Sequence, residues 1–154
     1  MIKSPLSSGF DHMALTSLTA LSPLDGRYAA RLAPLRELFS EHALMRFRVL
    51  VEVEWLKALA QEPAIAEVKA FSAATVDQLD ALAAGFSETD AAAVKTIEAR
   101  TNHDVKAIEY FLKDRLGDNK EVAQVAEFIH FACTSEDINN LCHALMLARS
   151  RNDV

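Results

Sequence analysis

From Pro34 onward the apolar residues recur every three or four positions, and no stretch alternates with the period of two that a half-buried strand requires. Leu44, Phe47, Val51, Trp55 and Leu59 form one stripe. Leu50, Val53 and Leu56 widen that stripe until it covers more than one side, so the helix must be buried by several neighbours. Pro63 ends it, having no N–H to donate and a fixed φ. Patterning of this kind predicts an all-α fold, with no sheet, no internal repeat and no low-complexity tract.

The remaining helices follow from the same spacing. One starts after Ser72, carries Val76, Leu79 and Leu82, and is interrupted at Gly85. Ser87-Glu88-Thr89-Asp90 reads as a capping box, in which the hydroxyl and the carboxylate three residues on each satisfy a free backbone donor. The helix it opens runs through Val94 and Ile97 and fades near Arg100. Another begins at about His103, buries Val105, Ile108, Phe111, Leu112 and Leu116, and stops at Gly117. Val122, Val125, Phe128 and Ile129 predict a further helix ending near Cys133. Thr134 to Asp137 is a second capping box, after which Ile138, Leu141, Cys142, Leu145 and Ala148 continue at helical spacing almost to Val154. That last helix shows neither a capping glycine nor a terminating proline, so it reads as one that is cut short, although fraying of a natural terminal helix gives the same pattern.

Ahead of Pro34 the chain lacks this period. Residues 1–33 hold two of the four prolines and two of the four glycines and are rich in Ser and Thr, which marks loop. Met13 opens its own stretch, so the first dozen residues are set apart as an alternative start or an appended segment. The expected organisation is a leader over 1–15, a helical domain over 16–132, and the opening of a second helical domain over 133–154.

Charge narrows the partners. With 16 basic and 22 acidic side chains the net charge is −6, which offers no basic stripe to a phosphate backbone and disfavours nucleic acid. Small anions need only a few local Arg or Lys. The apolar runs fall far short of the ~20 residues that span a bilayer, and no signal-peptide core is present, so the expectation is a cytoplasmic protein with no membrane contact. Cys133 and Cys142, alone on a helical stretch, read as reduced thiols.

Three clusters place polar residues where helix propensity would not. Ser22-Pro23-Leu24-Asp25-Gly26-Arg27-Tyr28 is a turn that delivers Arg27 and Tyr28 side by side, a guanidinium fork and a phenol suited to phosphate or ribose. A surface turn whose arginine pairs with a carboxylate fits it as well. Thr101-Asn102-His103-Asp104 opens a helix, where Thr101 or Asn102 serves as an ordinary N-cap and the positive end of the dipole favours a neutral His103 ring. Asp104 then either steadies that ring's tautomer or simply faces the dipole. Thr134 and Ser135 put two hydroxyls at a helix N-terminus, a site for a carboxylate or phosphate and equally a plain cap.

Other combinations carry less. His130, Cys133, Cys142 and His143 suggest zinc, but Cys142 and His143 diverge by roughly 100° around a helix, so the set does not converge and no metal is expected. His42 and His143 have no visible partners. There is no glycine-rich phosphate loop, no nucleophile elbow and no readable pair of catalytic carboxylates.

Taken in order, SPLDGRY (Ser22–Tyr28), TNHDVK (Thr101–Lys106) and FIHFACTSEDINN (Phe128–Asn140) resemble the N-terminal part of the bacterial adenylosuccinate lyase family, within the fumarase/aspartase superfamily. Any one of these motifs would be weak. Their order makes the match specific, and the likeness extends from about Thr16 to Val154. The resemblance implies an all-helical homotetramer whose N-terminal helical domain leads into a central long-helix bundle, here begun at 133–154. It implies elimination of fumarate from adenylosuccinate, giving AMP, and from the succinyl-carboxamide ribotide of purine synthesis, without metal or cofactor. By position, Arg27 and Tyr28 would hold phosphate and ribose, and Asn102, His103 and Asp104 would contact the substrate. Thr134 and Ser135 would bind the carboxylates of the departing fumarate, and His130 falls where relatives have a substrate-facing histidine.

Elimination across a C–N bond needs a base for the Cβ proton, an acid for the leaving nitrogen and donors for the enolate-like charge. The Thr134 and Ser135 groups suit only the last. In the family the acid and base lie in sequence corresponding to positions beyond Val154, so the chain, holding binding residues without the proton-transfer pair, is expected to be inactive alone. A different reading of the same residues is a free-standing helical interaction module that uses the face Ile138, Leu141, Leu145.

Overall fold

The computed structural model describes residues 14–153, with the side chain of the last of these left aside. The expected leader falls almost entirely outside that span. By contacts the chain divides into two compact units, with the boundary between Arg36 and Glu37.

In the first unit the backbone turns repeatedly over Thr16–Ala20 and Ser22–Tyr28, closed by bonds such as Tyr28 N–H to the Pro23 carbonyl at 2.9 Å. Gly26 is buried, and a Cβ there would lie 3.0 Å from the Ser17 carbonyl and 3.2 Å from the Ala20 methyl. A short 3-10 segment, Ala29–Leu32, follows.

Helix α1 is Ala33–Phe39. Helix α2, Glu41–Gln61, is capped by Ser40, whose hydroxyl accepts the Ala43 N–H, and its C-cap Glu62 immediately precedes Pro63. Helices α3 (Ala73–Ala84) and α4 (Glu88–Thr101) start at the Ser72 and Ser87 caps, the latter with both halves of its capping box made. Helices α5 (Asp104–Leu116), α6 (Lys120–Gln124) and α7 (Ser135–Asp153) complete the set. No strand occurs among the described residues, and the fold is all-α. No described helix is long and apolar enough to cross a membrane.

As its wide apolar stripe requires, α2 is buried on two sides. Met45, Val49, Val53 and Leu56 enter a core with Leu79 of α3, Val94 and Ile97 of α4, and Ile108, Phe111 and Leu112 of α5. Phe47 and Val51 enter a second, smaller core with Val105 of α5 and Ile138, Cys142 and Met146 of α7. Val105 and Ile138 each lie within a turn of their helix's start, so this core seats the N-termini of α5 and α7. Cys133 and Cys142 are free thiols, and burial pushes the Cys142 thiol up to about 12.

Two expectations change. The helix expected over Val122–Cys133 breaks after Gln124 into a 3-10 segment, Ala126–Phe128, and then turns. Its apolar spacing is real, because Val122, Val125 and Ile129 are all buried, but the burial is reached without helical continuity. Gly117 does end α5, as the spacing predicts, with φ at −58°, and Asn119 starts α6 by accepting the Glu121 and Val122 N–H groups. The face Ile138, Leu141, Leu145 is not open as a unit. Ile138 is buried, Leu145 packs against the small core, and Leu141 alone of the three is half exposed.

Candidate functional site

Asn102 and His103 form the hinge between α4 and α5. Asn102 caps the C-terminus of α4 in the left-handed region, at φ 52°, where asparagine is one of the few side chains tolerated. His103, and not Thr101 or Asn102, is the N-cap of α5: its Nδ1 accepts the Lys106 N–H at 3.1 Å. A nitrogen that accepts carries no proton, so Nε2 is the donor that the exposed ring presents. Thr101 closes the corner by donating its hydroxyl to the His103 carbonyl at 3.2 Å.

Asp104 does not steady the His103 ring. Its Oδ1 lies 3.9 Å from that ring's Nδ1, and it bonds its neighbour Val105 N–H instead, at 2.9 Å. Its Oδ2 takes the Arg48 guanidinium at 2.6 Å. Burial raises the Asp104 carboxyl, but Arg48 and the Val105 amide outweigh it and hold the group below the usual carboxylate range. A lowered native pKa adds stability above the unfolded value of 3.8 that disappears as pH falls through the native one. Acid unfolding of Asp104→Asn is therefore expected to show a shallower loss of stability below pH 3.8 than the parent, measured by denaturant titration across pH.

Arg48 is nearly fully buried, and its Nε donates to Asn139 Oδ1 of α7 at 3.0 Å. One side chain of α2 thus ties the TNHD segment to the TSEDINN segment. At the start of α7 the Thr134 N–H donates to Asp137 Oδ2 at 2.7 Å and the Thr134 hydroxyl reaches the same oxygen at 3.0 Å. Those bonds hold the Asp137 carboxyl below its usual range. Asp137 therefore occupies the Thr134 donors, whereas the Ser135 hydroxyl has no hydrogen-bond partner among the described residues.

Glu52 lies one turn beyond Arg48 on α2 and has no exposed surface. Its Oε1 meets His130 Nδ1 at 2.6 Å, and its Oε2 is buried with no partner among the described residues. Desolvation dominates and raises the Glu52 carboxyl, against the lowering effect of His130 and with a further raise from Glu109. His130 and Ala132 both sit in the left-handed region, at φ 64° and 58°. Trp55 fastens this loop by donating Nε1–H to the Phe131 carbonyl at 2.8 Å. For Ala132 the conformation costs ~1–2 kcal/mol, while glycine in its place loses ~0.5–1 kcal/mol of chain entropy. Ala132→Gly is therefore expected to leave stability unchanged or raise it by up to about 1.5 kcal/mol, read from a denaturant midpoint at constant m.

The SPLDGRY residues belong to the first unit. Arg27 lies over the Tyr28 ring at 4.9 Å to the centroid, so fork and phenol stack on one another, and both are solvent-accessible. In the second unit, Asn102, His103, Asp104, Thr134, Ser135 and His130 all stand on segments held by Arg48, Glu52 or Trp55 of α2. Sequence reasoning missed Arg48, Glu52 and Asn139. The signal was present: an arginine and a glutamate four apart within the apolar stretch from Leu44 to Leu56.

Beside this network a groove of about 480 Å³ runs between α2 and α7, lined by Val51, Trp55, Cys133, Ile138 and Leu141 among others.

Comparison with known proteins agrees with these motifs. The chain is 60% identical over 142 residues to the adenylosuccinate lyase of Escherichia coli (strain K12), covering 92% of the chain and 31% of that protein. It is 58% identical to the adenylosuccinate lyase of Haemophilus influenzae over the same shares. To that of Legionella pneumophila (strain Corby) it is 46% identical over 138 residues, 90% of the chain and 30% of that protein. The chain thus spans a little under a third of the length of these curated relatives, matching their N-terminal region. A family model described as Lyase matches residues 26–154, which takes in Gly26, Arg27 and Tyr28 of the turn and all of the network around α2. On that match, the chain belongs to the lyase family, the helical domain of the fumarase/aspartase superfamily.

Proposed function

We propose that this chain supplies substrate-binding groups to a lyase that eliminates fumarate from adenylosuccinate, giving AMP, and from the succinyl-carboxamide ribotide of purine synthesis. The observation that carries the reading is the bridge Asp104–Arg48–Asn139, because it joins two separated motifs through a buried charge. An arginine taken out of water is costly unless its bonds are satisfied, and this one is satisfied only when both segments are in place.

In this reading His103 donates from Nε2 to a substrate oxygen, and Asn102 and Asp104 shape the same corner. Ser135, with the first free N–H groups of α7, stabilises carboxylate charge that grows as the Cβ proton leaves. Arg27 and Tyr28 hold phosphate and ribose. The groups described here bind and orient; the acid and base of the elimination come from elsewhere in the assembled enzyme, a cytoplasmic homotetramer in which residues 133–154 open the central bundle. No cofactor takes part.

The test is fumarate release followed by absorbance. The 154-residue chain alone is expected to give no turnover, and a rate near the ordinary enzyme value of ~10 s⁻¹ would refute the division of labour. In a full-length lyase carrying this segment, Ser135→Ala is expected to lower kcat about 10²-fold, as loss of one donor to developing charge does. An unchanged kcat would remove Ser135 from the site.

A further inference from the structure

A fully buried glutamate with one oxygen unpartnered is an expensive feature, and nothing in the packing of α2 calls for it. Glu52 sits among Val49, Val53 and Leu56, where leucine would fill the same space without a charge to desolvate. Its one bond goes to His130, whose backbone is held at φ 64° in a loop that Trp55 secures. The His130 side chain is 19% exposed, so one ring edge faces Glu52 inside while the other reaches the surface. Glu109 of α5 and Asp137 of α7 are the other carboxylates whose fields reach this pair.

A carboxylate that accepts from Nδ1–H fixes which ring nitrogen carries the proton in the neutral imidazole. We propose that Glu52 is a positioning residue that holds His130 as the Nδ1–H tautomer and leaves Nε2 as an outward-facing acceptor. His103 is fixed the opposite way, by a backbone N–H on its Nδ1, so the two histidines offer one donor and one acceptor. That Nε2 of His130 meets the substrate, taking a hydrogen bond from one of its N–H or O–H groups, rests on the lyase reading above.

The tautomer is read directly from long-range ¹H–¹⁵N correlations of the labelled 154-residue chain at pH 8. The wild type is expected to show Nδ1 protonated and Nε2 bare. Glu52→Leu is expected to shift the tautomer ratio about tenfold or more toward Nε2–H, the weight of one charge-assisted hydrogen bond. Glu52→Gln keeps an acceptor oxygen and is expected to retain the Nδ1–H form. A wild-type ring protonated at Nε2, or a ratio that Glu52→Leu leaves unchanged, overturns the proposal, and the wild-type spectrum decides even where the leucine variant does not fold. Because no substrate is present, this result is independent of the lyase reading. In a full-length lyase Glu52→Leu is expected to lower kcat about 10²-fold with little change in KM; an unaltered kcat alongside the expected tautomer would overturn only the contact with substrate.

Discussion

Arg48→Met is expected to lower kcat/KM of a full-length lyase carrying this segment by about 10²-fold while costing the fold only about 2 kcal/mol. The two effects separate because the partners differ. Asp104 is half exposed and takes up water when the guanidinium leaves, so its charge is not stranded. Asn139 is only partly buried and loses a single bond. Methionine fills much of the arginine stem's volume, which limits the cavity term. What is lost is the brace between the starts of α5 and α7, and misplacement of reacting groups by about 1 Å costs ~10²-fold. Arg48→Lys keeps the charge but not the planar fork that serves two acceptors at once, and its kcat/KM is expected to fall between the two. Denaturant midpoints and steady-state kinetics on the three proteins check this; a stability loss with full activity would make Arg48 a fold residue only.

His130→Ala and Glu52→Leu are expected to move stability in opposite directions although they break the same bond. Removing the histidine leaves a carboxylate with no exposed surface and no partner on either oxygen, and orphaning one member of a buried pair costs ~3–5 kcal/mol. Removing the glutamate leaves a histidine that is already partly exposed, while leucine adds apolar surface to the core. That exchange is expected to be neutral or to stabilise by about 1 kcal/mol or more. The pH dependence has its own sign. Desolvation raises Glu52 above its unfolded value of 4.5, so the native state holds the proton more tightly and stability falls as pH rises from 4.5 through the native value. Glu52→Leu is expected to remove that decline. His130→Asn, which tolerates a left-handed backbone and can donate to the carboxylate, is expected to recover most of the loss in His130→Ala. Equal losses in His130→Ala and Glu52→Leu would show that the pair stabilises the fold.

Elements whose signal is local are legible in the sequence. The Ser72 and Ser87 caps, the end of α2 before Pro63 and the inward set Val105, Ile108, Phe111 and Leu112 all depend on neighbours within a turn or two of chain. Helical period misled at Val122 to Ile129, since three buried residues at spacings of three and four fit a helix as well as a broken run of turns. The sequence marks His103 as a site residue but not as the cap of α5, because propensity ranks Thr101 and Asn102 first and only geometry shows that the imidazole nitrogen takes the Lys106 N–H.

By itself the sequence determined the all-α class, the helix starts that rest on Ser and Thr caps, and the three motifs whose order places the chain in its family. The tertiary structure alone decided what joins those motifs. Arg48 and Glu52 look misplaced in an apolar stripe until α2 is seen to run beneath both helix starts, with Asp104 and Asn139 at two edges of one guanidinium and His130 on the carboxylate a turn away. Spacing along a helix reports which residues share a face. It holds no information on which distant segment that face meets, because that is set by the packing of the small core formed by Phe47, Val51, Val105 and Ile138, and those contacts are distant in the chain.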